Sequence, residues 1–223
     1  MQLRAEYTLG EDWMIGLFAL VLAIVAFVKF RHSKKLNKLF DAFQNPRMVR
    51  QLMREEQVFA NSASVLLDVN FWLMLSLFMF FLLKRFSELL YDSFGIHLMW
   101  MLMLGILAIY LVKFISGLVM GSLFDKSYGI GEYLYNVYIF NKALGLVLIP
   151  VNMALALFPL RYSVLFLVVA IVIIALLLTF RTIRGLRIGK DNNAKDLYLF
   201  LYLCALEFLP LALIVKELRT LII

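Results

Sequence analysis

Residues 162–180 read YSVLFLVVAIVIIALLLTF, a run from Tyr162 to Phe180 with no charged side chain. A helix of about 20 apolar residues covers the hydrocarbon layer of a bilayer. Backbone groups in lipid must pair within their own helix or around a closed barrel. Barrel strands alternate apolar and polar positions over about 10 residues, whereas this run is apolar at nearly every position. It therefore predicts a membrane-crossing helix.

Working outward from this run, the same criterion selects about 13–30, 67–86, 96–116, 136–160 and 197–218. The predicted fold is all-α, a polytopic helical membrane protein of six transmembrane helices. Composition agrees. Of 223 residues, 64% are hydrophobic and 17% charged, too thin a polar skin for a soluble domain of this size. The first run follows Glu6, Glu11 and Asp12 and ends at Lys29 and Arg31. It lacks the positive start and small-residue cleavage site of a signal peptide and reads as a retained anchor. The turn between the fourth and fifth spans is only Pro159 to Tyr162, which makes those helices antiparallel neighbours.

The chain divides into an N-terminal anchor at 1–33, an amphipathic interfacial segment at 34–66 and a five-helix bundle at 67–223. Orientation follows from the basic residues. Arg31, Lys34, Lys35, Lys38, Arg47, Arg50 and Arg54 follow the first span, and Arg181, Arg184, Arg187, Lys190 and Lys195 follow the fifth. They outnumber Arg4, Lys84, Arg85, Arg161, Lys216 and Arg219 on the other side. The segments 31–66 and 181–196 are thus expected in the cytoplasm, and both termini in the periplasm. The net charge of +7 resides beside apolar runs, which suits anionic lipid rather than nucleic acid.

In the interfacial segment, Leu36, Leu39, Phe40 and Phe43 recur at helical spacing. Asn45 and Pro46 then suit the start of a second helix. Two short helices are expected at the inner membrane surface, apolar side down, with Lys34, Lys35, Lys38, Arg47, Arg50 and Arg54 towards headgroups. The segment is either a connector or a docking surface for a lipid or a protein partner.

Ionisable groups inside spans are costly and need a reason. Glu207, in the middle of the sixth span, must be protonated, paired or facing water, and Pro210 frees a carbonyl beside it. Lys142 and Asn141 enter the fourth span early. Lys142 either snorkels to the interface or pairs with Glu207, since both helices run outward. Asp68 and Asn70 open the second span. Asp68 either joins this inner cluster or sits at a favourable helix N-terminus. Pro150 and Asn152 should bend the fourth span. Gly117 and Gly121 form a small-xxx-small pair suited to helix packing. Tyrosines of the 124–138 region fit a headgroup boundary.

The single cysteine, Cys204, excludes an intramolecular disulfide and a thiolate zinc site. His32 and His97 fall at opposite ends of the spans. Glu55 and Glu56 lack the following arginine of membrane prenyl-protein proteases. The sequence has no nucleophile elbow, no HExxH and no phosphate-binding glycine loop. No catalytic residue, metal site or cofactor is therefore expected.

Glu132-Tyr133, Phe140-Asn141-Lys142, Gly145-Leu146 and Leu148-Ile149-Pro150 form one set of motifs. Leu201-Tyr202-Leu203-Cys204-Ala205-Leu206-Glu207-Phe208-Leu209-Pro210 forms another. In these, from about residue 67 onward, the chain resembles an uncharacterised family of multi-pass inner-membrane proteins of Bacteroidota. The resemblance implies a protein of the bacterial envelope and adds weight to Glu207, Pro210, Asn141 and Pro150. The expected function is a non-enzymatic inner-membrane subunit or accessory factor of a larger envelope complex. The alternative is a small transporter or lipid-handling protein using an intramembrane Glu/Lys site.

Overall fold

The computed structural model describes residues 9–45, 49, 62–86, 94–123 and 127–191. Among them the chain is helical: α1 (Asp12–Arg31), α2 (Ser33–Gln44), α3 (Ser62–Phe86), α4 (His97–Leu123), α5 (Ser127–Leu157) and α6 (Ser163–Asp191). A single 3-10 turn, Leu160–Tyr162, joins α5 to α6. Five stretches are long and apolar enough to cross a membrane: Asp12–Arg31, Ala63–Phe86, His97–Ser116, Leu134–Leu157 and Leu160–Gly185. They coincide with the first five predicted spans. The sixth, at 197–218, lies outside the described residues.

Side-chain contacts fix the alternation of directions. Glu11, before α1, pairs with Lys84, near the end of α3, at 2.5 Å, so these helices are antiparallel. Phe71 meets Tyr110 of α4 edge-on at 5.3 Å, and Phe158 lies 5.0 Å from Phe166 across the α5–α6 turn. By contrast, α3 and α5 run parallel. Ser64 meets Tyr138, Asp68 meets Lys142 and Phe71 meets Gly145, each pair 74 residues apart. One end of the bundle therefore gathers Arg31, α2 and the start of α3. The other gathers Glu11, Lys84 and the 3-10 turn.

Burial ranks the helices. In α3 and α5, 61% and 67% of the membrane-length window is buried, against 12–22% in α1, α4 and α6. α3 and α5 thus form the centre, packed through Phe71, Met74, Leu77, Phe78, Phe81 and Leu148. The outer helices turn Leu104, Val112, Leu165, Val168 and Leu176 outward. Side chains apolar on every face suit a lipid surround, because hydrocarbon leaves an exposed leucine without cost. Hydroxyls within these helices bond back to their own carbonyls: Ser76 to Leu73, Thr179 to Ala175 and Thr182 to Leu178.

The central seam is tight where side chains are smallest. A Cβ on Gly145 would fall 2.7 Å from the Phe71 Cα, so glycine is what lets α3 and α5 approach. Gly117 and Gly121 fall on the last turns of α4, and their surroundings lie outside the described residues. α5 runs unbroken through Pro150. Asn152 on the same helix donates to the Met74 carbonyl at 2.8 Å and fastens it to α3.

The helices outrun the predicted spans: α3 is helical from Ser62 and α5 from Ser127, while the apolar stretches within them, Ala63–Phe86 and Leu134–Leu157, lie close to the predicted 67–86 and 136–160. The segment expected as a loop from 181 is helix to Asp191, because Arg181 and Arg184 find partners inside the bundle. α2 also differs from an apolar face laid on lipid. Its Leu36 and Leu39 pack with Val28, Ala63 and Leu67, and its Phe43 stacks on Phe140 at 4.9 Å. Protein covers that face. Asn45 ends α2 in an extended conformation (φ −118°, ψ 116°), as the following Pro46 requires.

Candidate functional site

Two polar clusters occupy the α2 end of the bundle. In the first, Tyr138, Lys142 and Gly145 share a face of α5, at helical spacings of four and three, and oppose Ser64, Asp68 and Phe71 of α3. Tyr138 donates its hydroxyl hydrogen to Asp68 Oδ2. Lys142 donates from Nζ to Ser64 Oγ, and its ammonium stands 4.0 Å from Asp68 Oδ1 and 3.7 Å from the Tyr138 ring centroid. Ser64 Oγ also lies 3.5 Å from the Tyr138 hydroxyl. Asp68 and Lys142 are 7% and 3% exposed.

At 4 Å and an effective dielectric near 20, two unit charges attract by about 4 kcal/mol. Taking each ion out of water costs several kcal/mol. The ion pair alone does not cover that cost. The phenol hydrogen bond, the serine hydroxyl and the cation–π contact supply the remainder.

In the second cluster, Asn141 lies about 100° around α5 from Lys142 and faces α4 and α6. Its Oδ1 accepts from Arg181 Nη1 at 3.1 Å and from the Tyr110 hydroxyl at 3.4 Å. Arg184, one turn further along α6, donates to the carbonyls of Ala42 at 2.7 Å and Phe43 at 3.0 Å, and its guanidinium lies 5.9 Å from the Phe140 ring centroid. Glu132 is buried on α5. Glu132, Asn136 and Phe140 follow one another at four-residue steps on α5. Asn136 and Asn70 are fully buried, and neither side-chain amide has a hydrogen-bond partner among the described residues.

The predicted residues are placed unevenly by this geometry. Lys142 and Asp68 face each other across the α3–α5 seam, whereas Asn141 belongs to the second cluster, against Arg181 and Tyr110. Lys142 turns inward to Ser64 and Asp68 instead of reaching the interface. Asp68 lies in the second turn of α3, past the first turn where a helix dipole acts. Glu207 and Pro210 lie outside the described residues, so the Lys142 partner seen is Asp68. Pro150 sits inside α5, away from the clusters. Lys34, Lys35 and Lys38 fall on α2, where Lys38 is exposed, while Arg47, Arg50 and Arg54 lie outside the described residues.

Sequence reasoning missed Ser64, Tyr138, Arg181 and Arg184 as members. By sequence alone Tyr138 fits a headgroup boundary, and the two arginines fit a cytoplasmic segment after the fifth span. Their three-residue spacing, which puts them on one helix face, was the available signal.

The fold is thus an all-helical one with several helices long and apolar enough to span a membrane, knit together by buried polar seams. Residues 14–218 match the family described as Domain of unknown function (DUF4271), and the chain belongs to that family. No curated protein and no solved structure matches it.

Proposed function

We propose that this chain is a non-enzymatic subunit or accessory factor of a larger assembly in the bacterial inner membrane, with α2 on the cytoplasmic face and both termini in the periplasm. The observation that carries this reading is the clamping of α2. An amphipathic helix left to bind lipid needs no hydrogen bonds to the bundle. Here Arg184 holds its C-terminal carbonyls, and Phe43 is wedged beside Phe140 and Phe180. That fixation leaves Asn37, Lys38 and Asp41 on a rigid outward face, which suits a preorganised contact for another protein or an anionic headgroup. Purification in mild detergent, with native sizing and mass spectrometry, tests the reading. A stoichiometric membrane partner that crosslinks to Lys38 is expected. A lone monomer without a reproducible partner counts against it.

A second reading, transport of an ion or small solute, is favoured by the buried Asp68–Lys142 pair, since intramembrane charges commonly line such paths. Solute uptake by proteoliposomes that survives Asp68→Asn, Lys142→Gln and Glu207→Gln alike removes its support.

A further inference from the structure

The Asp68 carboxylate is held in a way that suits the gain of a proton. Its direct hydrogen bond comes from a neutral phenol, Tyr138. Its cationic partner stands off at 4.0 Å and gives its own hydrogen bond to Ser64. A tight ammonium–carboxylate contact closes to about 2.7–2.9 Å. Here the Lys142 ammonium also has a hydroxyl and an aromatic face, so part of its stabilisation survives when Asp68 is neutralised. A phenol both donates and accepts, and Tyr138 serves the carboxylate as donor and the acid as acceptor.

A second observation lies beside the cluster. Asn70 is fully buried with both amide atoms lacking a partner among the described residues, and its Nδ2 lies 3.1 Å from where a Gly145 Cβ would stand, one turn from Lys142. Buried primary amides of this kind are satisfied by water. Ser64 and Tyr138 are only partly buried, so the cluster is least covered towards the α2 end.

We propose that Asp68, with Tyr138, Lys142 and Ser64, forms a hydrated proton-binding site reached from the α2 end of the bundle. A proton delivered by water bonds to a carboxylate oxygen of Asp68. The Tyr138 hydroxyl rotates to accept from the acid, Lys142 keeps its proton and stays on Ser64, and the cluster gains one positive charge. The groups facing Asp68 are Lys142 and Tyr138 from α5. Tyr110 on α4 stands further off, against Phe71 and Asn141. From α1 and α2, the described side chains packed on this part of α3 are Val28, Leu36 and Leu39, which do not titrate. The site needs no partner protein, so it stands or falls separately from the assembly reading.

The test is infrared difference spectroscopy between buffered pH values on the full-length chain in lipid nanodiscs. A carboxylic-acid carbonyl signal that titrates in the wild type and is lost in Asp68→Asn is expected. Tyr138→Phe, which removes one charge-assisted hydrogen bond, should move its midpoint by about one pH unit. The same titration in Asp68→Asn overturns the proposal, as does a midpoint that follows sodium concentration instead of pH. Should Asp68→Asn fail to fold, Tyr138→Phe decides, and an unmoved midpoint overturns it.

Discussion

Arg184 of α6 donates a 2.7 Å hydrogen bond to the carbonyl oxygen of Ala42, and the same guanidinium reaches Phe43 at 3.0 Å. The last four carbonyls of a helix have no partner within it. In α2 the Asp41 carbonyl is taken by the Asn45 amide, and Arg184 takes the next two. One side chain thereby ties the amphipathic helix to the bundle.

Arg184→Gln should therefore loosen α2 before the rest of the protein. Hydrogen bonds from charged donors contribute about 1.5–3 kcal/mol each, and the shorter glutamine amide can keep at most one of the two, so a loss of about 1.5–3 kcal/mol or more is expected. Hydrogen exchange should quicken across residues 36–45 and stay slow in α3. Uniform quickening of both helices would refute a local clamp.

Gly145→Ala should destabilise the centre of the bundle by about 1–3 kcal/mol, the usual cost of overpacking. Gly16→Ala and Gly105→Ala are the matched controls. A Cβ at either position meets nothing within 4 Å, and alanine is the better helix former by about 0.5–1 kcal/mol. Thermal unfolding in one detergent should order the variants accordingly, and a neutral Gly145→Ala would contradict the close approach at Phe71.

Asp68→Ala should cost about 3–5 kcal/mol, since it leaves the buried Lys142 without its counter-charge. Asp68→Asn combined with Lys142→Met should recover part of that loss. The Glu11–Lys84 pair is more open, with side chains 26% and 16% exposed. Glu11→Gln should cost no more than about 1 kcal/mol. Reversible unfolding of the three variants tests the contrast, and equal costs at both pairs would sink it.

Reporter fusions at residues 45 and 191 should both report the cytoplasm, and fusions at 94 and 160 the periplasm. A periplasmic signal at 191 would invert the assignment.

The five described spans were legible because hydrocarbon imposes one requirement, a continuous apolar run, that each satisfies by itself. The pairing of Lys142 was not. Its distance along the chain from Asp68 carries no local signature, and Glu207 offered an equally plausible carboxylate. Arg181 and Arg184 were misplaced for a related reason. A charge count treats arginine as a marker of the water side, whereas these two are desolvated by carbonyl and amide oxygens supplied by Ala42, Phe43 and Asn141. The close approach at Gly145 was hidden too. Gly145 has Asn141 and Ile149 at the positions where a small-xxx-small motif would place its partners.

The parallel alignment of α3 and α5 has a consequence for biogenesis. Two parallel crossings in one chain need a return crossing between them, here α4. During synthesis Asp68 enters the membrane while the lysine that will neutralise it is still untranslated. Until α5 arrives to complete the seam, a proton or water has to cover the Asp68 carboxylate.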